Sequence, residues 1–194
     1  RMVDCRQQSN VCNGRHGGSD HCGPDLCPRC INMCQRRSED LVGIQPGCVD
    51  QFRVFNGTKR AFLDPEFCAE LITMIDAKRR PSTLADFDGD MYFRTSETCD
   101  LDAGLPAVMR MEALLHALNG IDPAHGEPLQ GQRYDVGQEF KPHCDYFNPG
   151  GKDWTRYCSV AGQRTWTFMI YLNDVDAGGA TRFKAAKKMF QPEA

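Results

Sequence analysis

The sequence predicts an α+β domain in which amphipathic helices pack on a sheet sandwich or jelly roll. Three observations predict it. Helical periodicity occurs only in two stretches, after Asp64 and after Pro106. From Leu129 onward the chain changes to short β-rich runs broken by Gly, Pro and Asn. All 18 aromatic residues lie from Phe52 onward, so the material for a core is confined to that part. Helices first and strands afterwards is the order expected of this class.

The elements follow in order. Residues 1–51 carry no Phe, Tyr or Trp and are rich in Gly, Asn, Ser and charge. Such a segment lacks the apolar surface for its own core. We therefore expect a boundary near Asp50, with a Cys-rich, poorly ordered segment over 1–50 and the domain over 51–194. Gln51–Phe55 alternates as a strand does and ends in the turn pair Asn56-Gly57. Asp64-Pro65-Glu66 starts a helix, with Asp as N-cap and Pro in the first turn. Phe67, Leu71, Met74 and Ile75 fall on one face of it, and it should end before Arg80-Pro81. Asp86–Asp90 reads as a turn and Met91–Thr95 as extended chain. Pro106 opens the second helix, with Val108, Met111, Leu114, Leu115 and Leu118 inward and Asn119-Gly120 as its stop. Gln130–Val136, Glu139–Lys141, Thr165–Leu172 and Thr181–Phe183 are the expected strands.

Composition limits the function classes. The chain has 194 residues, net charge −3 and 41% hydrophobic residues. That length suits one domain of ordinary size. No basic excess or polybasic run points to nucleic acid or an anionic membrane. The longest apolar run, Thr167–Leu172, has the length of a buried strand, far short of the roughly 20 residues of a membrane span. Nothing near Arg1 reads as a signal sequence, which tips the expected location toward the cytoplasm, with an oxidising secretory compartment as the other reading. The oligomeric state is not legible.

Seven of the 11 cysteines lie in the first 48 residues. Cys27-Pro-Arg-Cys30, with Cys22, Cys34, His16 and His21 nearby, has the makings of one tetrahedral zinc site, but a second paired motif is absent. Disulfides, zinc and an unstructured leader all stay open for this segment.

The pattern with most chemistry is His143-Cys144-Asp145. In an extended strand, side chains two positions apart share a face. An imidazole and a carboxylate so placed can grip one cation, as in the facial sites of non-haem Fe(II) oxygenases, which leave positions open for substrates. Cys144 would point the opposite way, into a structural role.

The surroundings of this pair carry a resemblance. Arg133–Phe147 is followed by Gly162–Asn173, ending in Tyr-Leu-Asn, and then by Gly178-Gly-Ala-Thr-Arg-Phe183; Arg94-Thr-Ser and Leu63–Cys68 lie upstream. The order resembles the catalytic domain of the prolyl 4-hydroxylase family of Fe(II)/2-oxoglutarate-dependent dioxygenases, over roughly residues 51–194. The resemblance implies a double-stranded β-helix with iron at one mouth, and supporting helices before it. It implies His143 and Asp145 as iron ligands, and Tyr134, Tyr171 and Thr181 as the lining of the 2-oxoglutarate pocket. Fe(II), 2-oxoglutarate and O2 are the implied cofactors, with ascorbate as reductant, and a proline-containing peptide is the implied substrate. Arg164 either contacts that peptide or braces its strand. Position alone suggests that the loop Asn148–Arg156 borders the groove, with Trp154 as a stacking surface for a proline ring.

Two parts of the family pattern lie beyond Gly-Gly-x-Thr: a second iron-binding His, and a Lys or Arg for the far carboxylate of 2-oxoglutarate. The sequence stops at Ala194 before either position, so the last strands of the jelly roll are expected to be missing. Two alternatives stand beside the enzyme reading. One is a non-catalytic jelly-roll binding protein with a relic metal site. The other is a dioxygenase for another peptide residue or a small molecule.

Overall fold

The computed structural model describes residues 1–9, 60–84, 89–148, 151–164 and 166–194. Both expected helices form where their end signals lie. Helix α1 spans Pro65–Lys78; Asp64 Oδ1 accepts a 2.8 Å hydrogen bond from the Phe67 amide, and Arg79 ends the helix in extended conformation ahead of Arg80-Pro81. Helix α2 spans Pro106–Asn119, and Gly120 closes it at φ 69°, where its amide bonds back to the His116 carbonyl. A left-handed residue at this position favours Gly because it has no Cβ to clash.

Among the described residues, seven strands make two sheets. In chain order they are β1 (Met2–Ser9), β2 (Arg80–Pro81), β3 (Glu97–Asp100), β4 (Gln130–Tyr134), β5 (Trp166–Tyr171), β6 (Thr181–Phe183) and β7 (Lys188–Phe190). The first five form one antiparallel sheet in the order β2-β3-β4-β1-β5, and β6 with β7 forms a hairpin. An α+β domain with antiparallel sheets is thus present, as the sequence implied.

The sequence reading needs four corrections. Met2–Ser9 lies before the boundary expected near Asp50, yet it is an inner strand, paired with β4 on one side and β5 on the other. Residues 10–59, which hold the remaining N-terminal cysteines and the expected strand Gln51–Phe55, are outside the described residues, as are residues 86–88 of the expected turn. Met91 and Tyr92 form a turn, and the expected extended pieces Met91–Thr95 and Glu139–Lys141 keep a single bridge, Arg94 to Phe140. The loop from Asn148 contains a third helix, α3 (Trp154–Ala161), closed by the Gly162 amide on the Cys158 carbonyl. Its eight residues are too few to show helical periodicity in sequence.

The helices cover one face of the five-stranded sheet. Phe67, Leu71 and Ile75 from α1 and Val108, Met111 and Leu115 from α2 are buried against Val3, Cys5, Cys99, Leu129 and Leu172. Gly131 lies under α1, and a Cβ there would fall on the Ile75 side chain. The register pairs Cys5 with Gly131 and Ile170, which fixes this apolar row across three strands. The opposite face therefore receives the alternate residues: Asp4 opposite Gln132 and Tyr171, Gln132 opposite Thr98, and Arg6 opposite Met169. The β6–β7 hairpin packs on that polar face, where the Tyr171 hydroxyl donates to Thr181 Oγ1 at 2.8 Å. Among the described residues no helix is long and apolar enough to cross a membrane.

Candidate active site

His143 and Asp145 meet at the open end of the polar face, His143 Nε2 lying 3.2 Å from Asp145 Oδ1. The chain here is bent rather than a regular strand, so the pairing does not rest on strand alternation. Two further contacts set the imidazole. Its Nδ1 donates to the Lys141 carbonyl at 2.7 Å. The Phe140 ring stacks on it at 3.5 Å between centroids and 17° between planes. Phe140 is itself held by the Arg94 guanidinium, 4.7 Å from its centroid, and by Phe93 edge-on.

Asp145 is tied to β5. Its Oδ2 accepts from the Thr167 hydroxyl at 2.6 Å, and its carbonyl accepts from Arg164 Nη1 at 3.2 Å. Burial pushes the carboxyl pKa up, but the hydrogen bonds from His143 and Thr167 and the charge of Arg6 outweigh it. The net result lies well below the usual carboxylate range.

This arrangement fits a metal ion on its donor chemistry. A carbonyl can only accept, so Nδ1 must carry the proton and Nε2 is left to face a carboxylate oxygen. Two lone pairs 3.2 Å apart need a positive charge between them, supplied by a proton or a cation. Neutral imidazole nitrogen plus carboxylate oxygen suits Fe(II). Among the described residues no cluster of three or more His, Cys, Asp or Glu side chains is placed to hold a metal, so these residues offer the two donors.

The other sequence candidates divide. Tyr134 is buried on the polar face, and its hydroxyl donates to Gln132 Oε1 at 3.1 Å. Tyr171 and Thr181 are brought together by their hydroxyls. Arg164 is engaged as a brace: it grips Glu127 through two bonds of 2.6 and 2.7 Å, touches the Asp145 carbonyl, and lies 4.3 Å from the Phe147 ring centroid. Gln163 clasps both the amide and the carbonyl of Phe147 at 2.8 Å, which fastens the turn after Asp145. Trp154 begins α3, and among the described residues no hydrogen bond or ring contact joins it to the His143–Asp145 pair. Cys144 is exposed, so the structural role expected for it is not what the fold gives it.

Several site residues went unread in the sequence. Arg94, Glu127 and Thr167 reach the pair only through tertiary contacts, and Phe140 through a stack three residues away. Asp4 and Arg6 did leave a signal, the alternation Val3, Asp4, Cys5, Arg6, in a segment set aside for want of aromatics.

Comparisons with known proteins point to one family. Residues 129–194 match the 2OG-Fe(II) oxygenase superfamily. The chain is 35% identical over 131 residues to "Probable prolyl 4-hydroxylase 8" of Arabidopsis thaliana, covering 65% of this chain and 43% of that protein. It is 33% identical over 163 residues to Prolyl 4-hydroxylase 5 of the same plant, covering 78% and 54%. It is 37% identical over 78 residues to Prolyl 4-hydroxylase subunit alpha-1 of Rattus norvegicus, covering 40% and 14%. No solved structure matches significantly. The superfamily match over residues 129–194 identifies a 2OG-Fe(II) oxygenase domain. Within that class the chain belongs to the prolyl 4-hydroxylase family. It spans about half the length, or less, of these relatives.

Proposed function

We propose that this chain carries the metal and keto-acid site of an Fe(II)- and 2-oxoglutarate-dependent dioxygenase, built on a jelly roll, that hydroxylates a proline within a peptide. The observation that carries the reading is the His143–Asp145 pair. The imidazole Nδ1 donates to the Lys141 carbonyl, which turns Nε2 toward Asp145 Oδ1 at the mouth of a polar sheet face. When bound, Fe(II) with 2-oxoglutarate and O2 supplies the oxidation that places one oxygen atom in a C–H bond and the other in succinate, with release of CO2. The metal would be held by His143 and Asp145. Tyr134, Tyr171 and Thr181 line the polar face beside them and offer hydroxyls to the keto acid. Thr167 orients the carboxylate, and the Phe140 stack holds the imidazole plane, so the donors are set before the metal arrives.

Arg164 acts in this reading as a positioning residue. Its fork ties Glu127 to the Asp145 carbonyl, at the rim where a peptide would enter. Trp154 is assigned the outer side of that groove. Ascorbate is the reductant that fits such chemistry. The test is 2-oxoglutarate decarboxylation and proline hydroxylation with a proline-rich peptide, using the full-length protein. Wild type should form succinate and hydroxyproline together, and His143→Ala should form neither. Turnover that survives His143→Ala, or a wild type inert toward every proline peptide yet active on a small molecule, would overturn the proposal or its substrate.

A further inference from the structure

Asp145 lies between β4 and β5, in a bent stretch that belongs to neither strand. Among the described residues no strand pairing fixes the backbone that carries this carboxylate. The hold comes two residues further on, at Phe147, which Gln163 grips. Gln163 Oε1 accepts from the Phe147 amide at 2.8 Å and from the Arg164 amide at 3.0 Å, and its Nε2 donates to the Phe147 carbonyl at 2.8 Å. One side-chain amide thus pairs with both backbone groups of Phe147, as a neighbouring strand would. The Phe147 ring is buried, with Tyr157 of α3 stacked on it at 5.1 Å and the Arg164 guanidinium 4.3 Å from its centroid. Backbone and ring are both held, so Phe147 is a fixed point.

Gln163 and Phe147 are 16 residues apart in the chain. The chain leaves the site after Phe147, forms α3 and returns at Gln163, so the clasp closes the base of that excursion beside Asp145. Arg164, the next residue, reaches the Asp145 carbonyl at 3.2 Å, and its own amide is fixed by the same Gln163 oxygen. Two routes to the Asp145 backbone, through Phe147 and through Arg164, therefore start at one side chain. Asp145 must present Oδ1 to His143 and Oδ2 to Thr167 at once. A backbone free to turn would lose one or the other. A donor fixed in advance needs no ordering when a metal binds.

We propose that Gln163 is a positioning residue for Asp145: its three hydrogen bonds set the carboxylate in the orientation that takes the metal. It acts through Phe147 and Arg164, not by contact with the metal. This rests on the metal reading of the His143–Asp145 pair.

The test is anaerobic titration of the full chain with Co(II), whose visible d–d bands report coordination geometry, with Fe(II) affinity read by competition. Gln163→Met keeps the length of the side chain and removes all three hydrogen bonds. It should weaken both metals by about 10-fold, the lower end of the range for residues that support a ligand, and alter the Co(II) bands. Gln163→Glu keeps the acceptor for both amides and loses the donor to the Phe147 carbonyl. It should fall between, and it carries the test if Gln163→Met does not fold. Leu71→Ala, a scaffold variant chosen for its loss of stability, should keep wild-type affinity and bands, which separates positioning from general destabilisation. Wild-type affinity and unchanged bands in the folded Gln163 variant would overturn this inference alone, as would an equal loss in Leu71→Ala. Failure of wild type to bind either metal would overturn the site reading beneath it.

Discussion

The two faces of the five-stranded sheet come from alternate residues of the same strands, yet they differ in what holds them. On the helix side, Val3, Cys5, Cys99 and Leu129 are closed by Leu71, Ile75, Val108 and Met111, and contact is nearly all apolar. On the hairpin side, Asp4, Arg6, Thr98, Gln132, Tyr134 and Tyr171 form a layer of polar groups, most of them buried. The first face stabilises the fold through burial, at about 25 cal/mol per Å² of apolar area. The second retains polar groups that need hydrogen bonds, and Asp4 has none, only an ion pair with Arg6 at 3.5 Å. Asp4 and Asp145 show the contrast within one face. Asp145 has donors and its pKa is lowered; Asp4 has none and its pKa is raised. On the proposed function, the apolar half of the sheet serves as scaffold and the polar half carries the site.

That contrast can be broken by substitution. The largest effect is expected at the pair itself: Asp145→Ala should abolish Fe(II) uptake in an anaerobic titration while the melting temperature stays close to wild type. Next is the scaffold face. Leu71→Ala empties a fully buried position and should cost about 2–5 kcal/mol by denaturant unfolding, with metal affinity of the folded fraction unchanged. Gly131→Ala pushes a methyl into Ile75 and should cost about 1–3 kcal/mol in the same assay, again without touching metal affinity. The smallest effect is at the start of α1. The Phe67 amide and then Arg110 hold the Asp64 carboxyl below its usual pKa of 3.8. Its folded pKa being the lower one, its contribution is present above 3.8 and is lost as pH falls through the folded value. Asp64→Asn keeps an acceptor but not the charge, so thermal melts across that acid range should show a shallower pH slope than wild type. If a scaffold variant changed metal affinity, or Asp145→Ala unfolded the chain, the division between faces would fail.

Much of this division was legible in sequence, and the reasons are local. The helices announced themselves because Asp64-Pro65 and Asn119-Gly120 are end signals whose chemistry acts within a few residues. The motif singled out His143 and Asp145, although the bent chain and not the expected strand alternation brings them together; Tyr134, Tyr171 and Thr181 were expectations from the motifs around them. The contacts that shape the site were not. Arg164 reaches Glu127 across 37 residues, and Thr95 bonds Glu139 across 44. Such pairs leave no periodicity. Strand β1 was misjudged for another reason: absence of aromatics argues against an independent core, but a strand inserted between two others borrows theirs. Only the alternation of Val3 and Cys5 with Asp4 and Arg6 could have revealed it.

The central claim is that one imidazole and one carboxylate on the polar face share a ferrous ion beside a keto-acid pocket. Anaerobic Fe(II) titration in the presence of 2-oxoglutarate, comparing wild type, His143→Ala and Asp145→Ala, tests it most directly. The account predicts a visible chelate band in wild type and none in either variant. A band of equal strength in all three, or none in wild type, would contradict it.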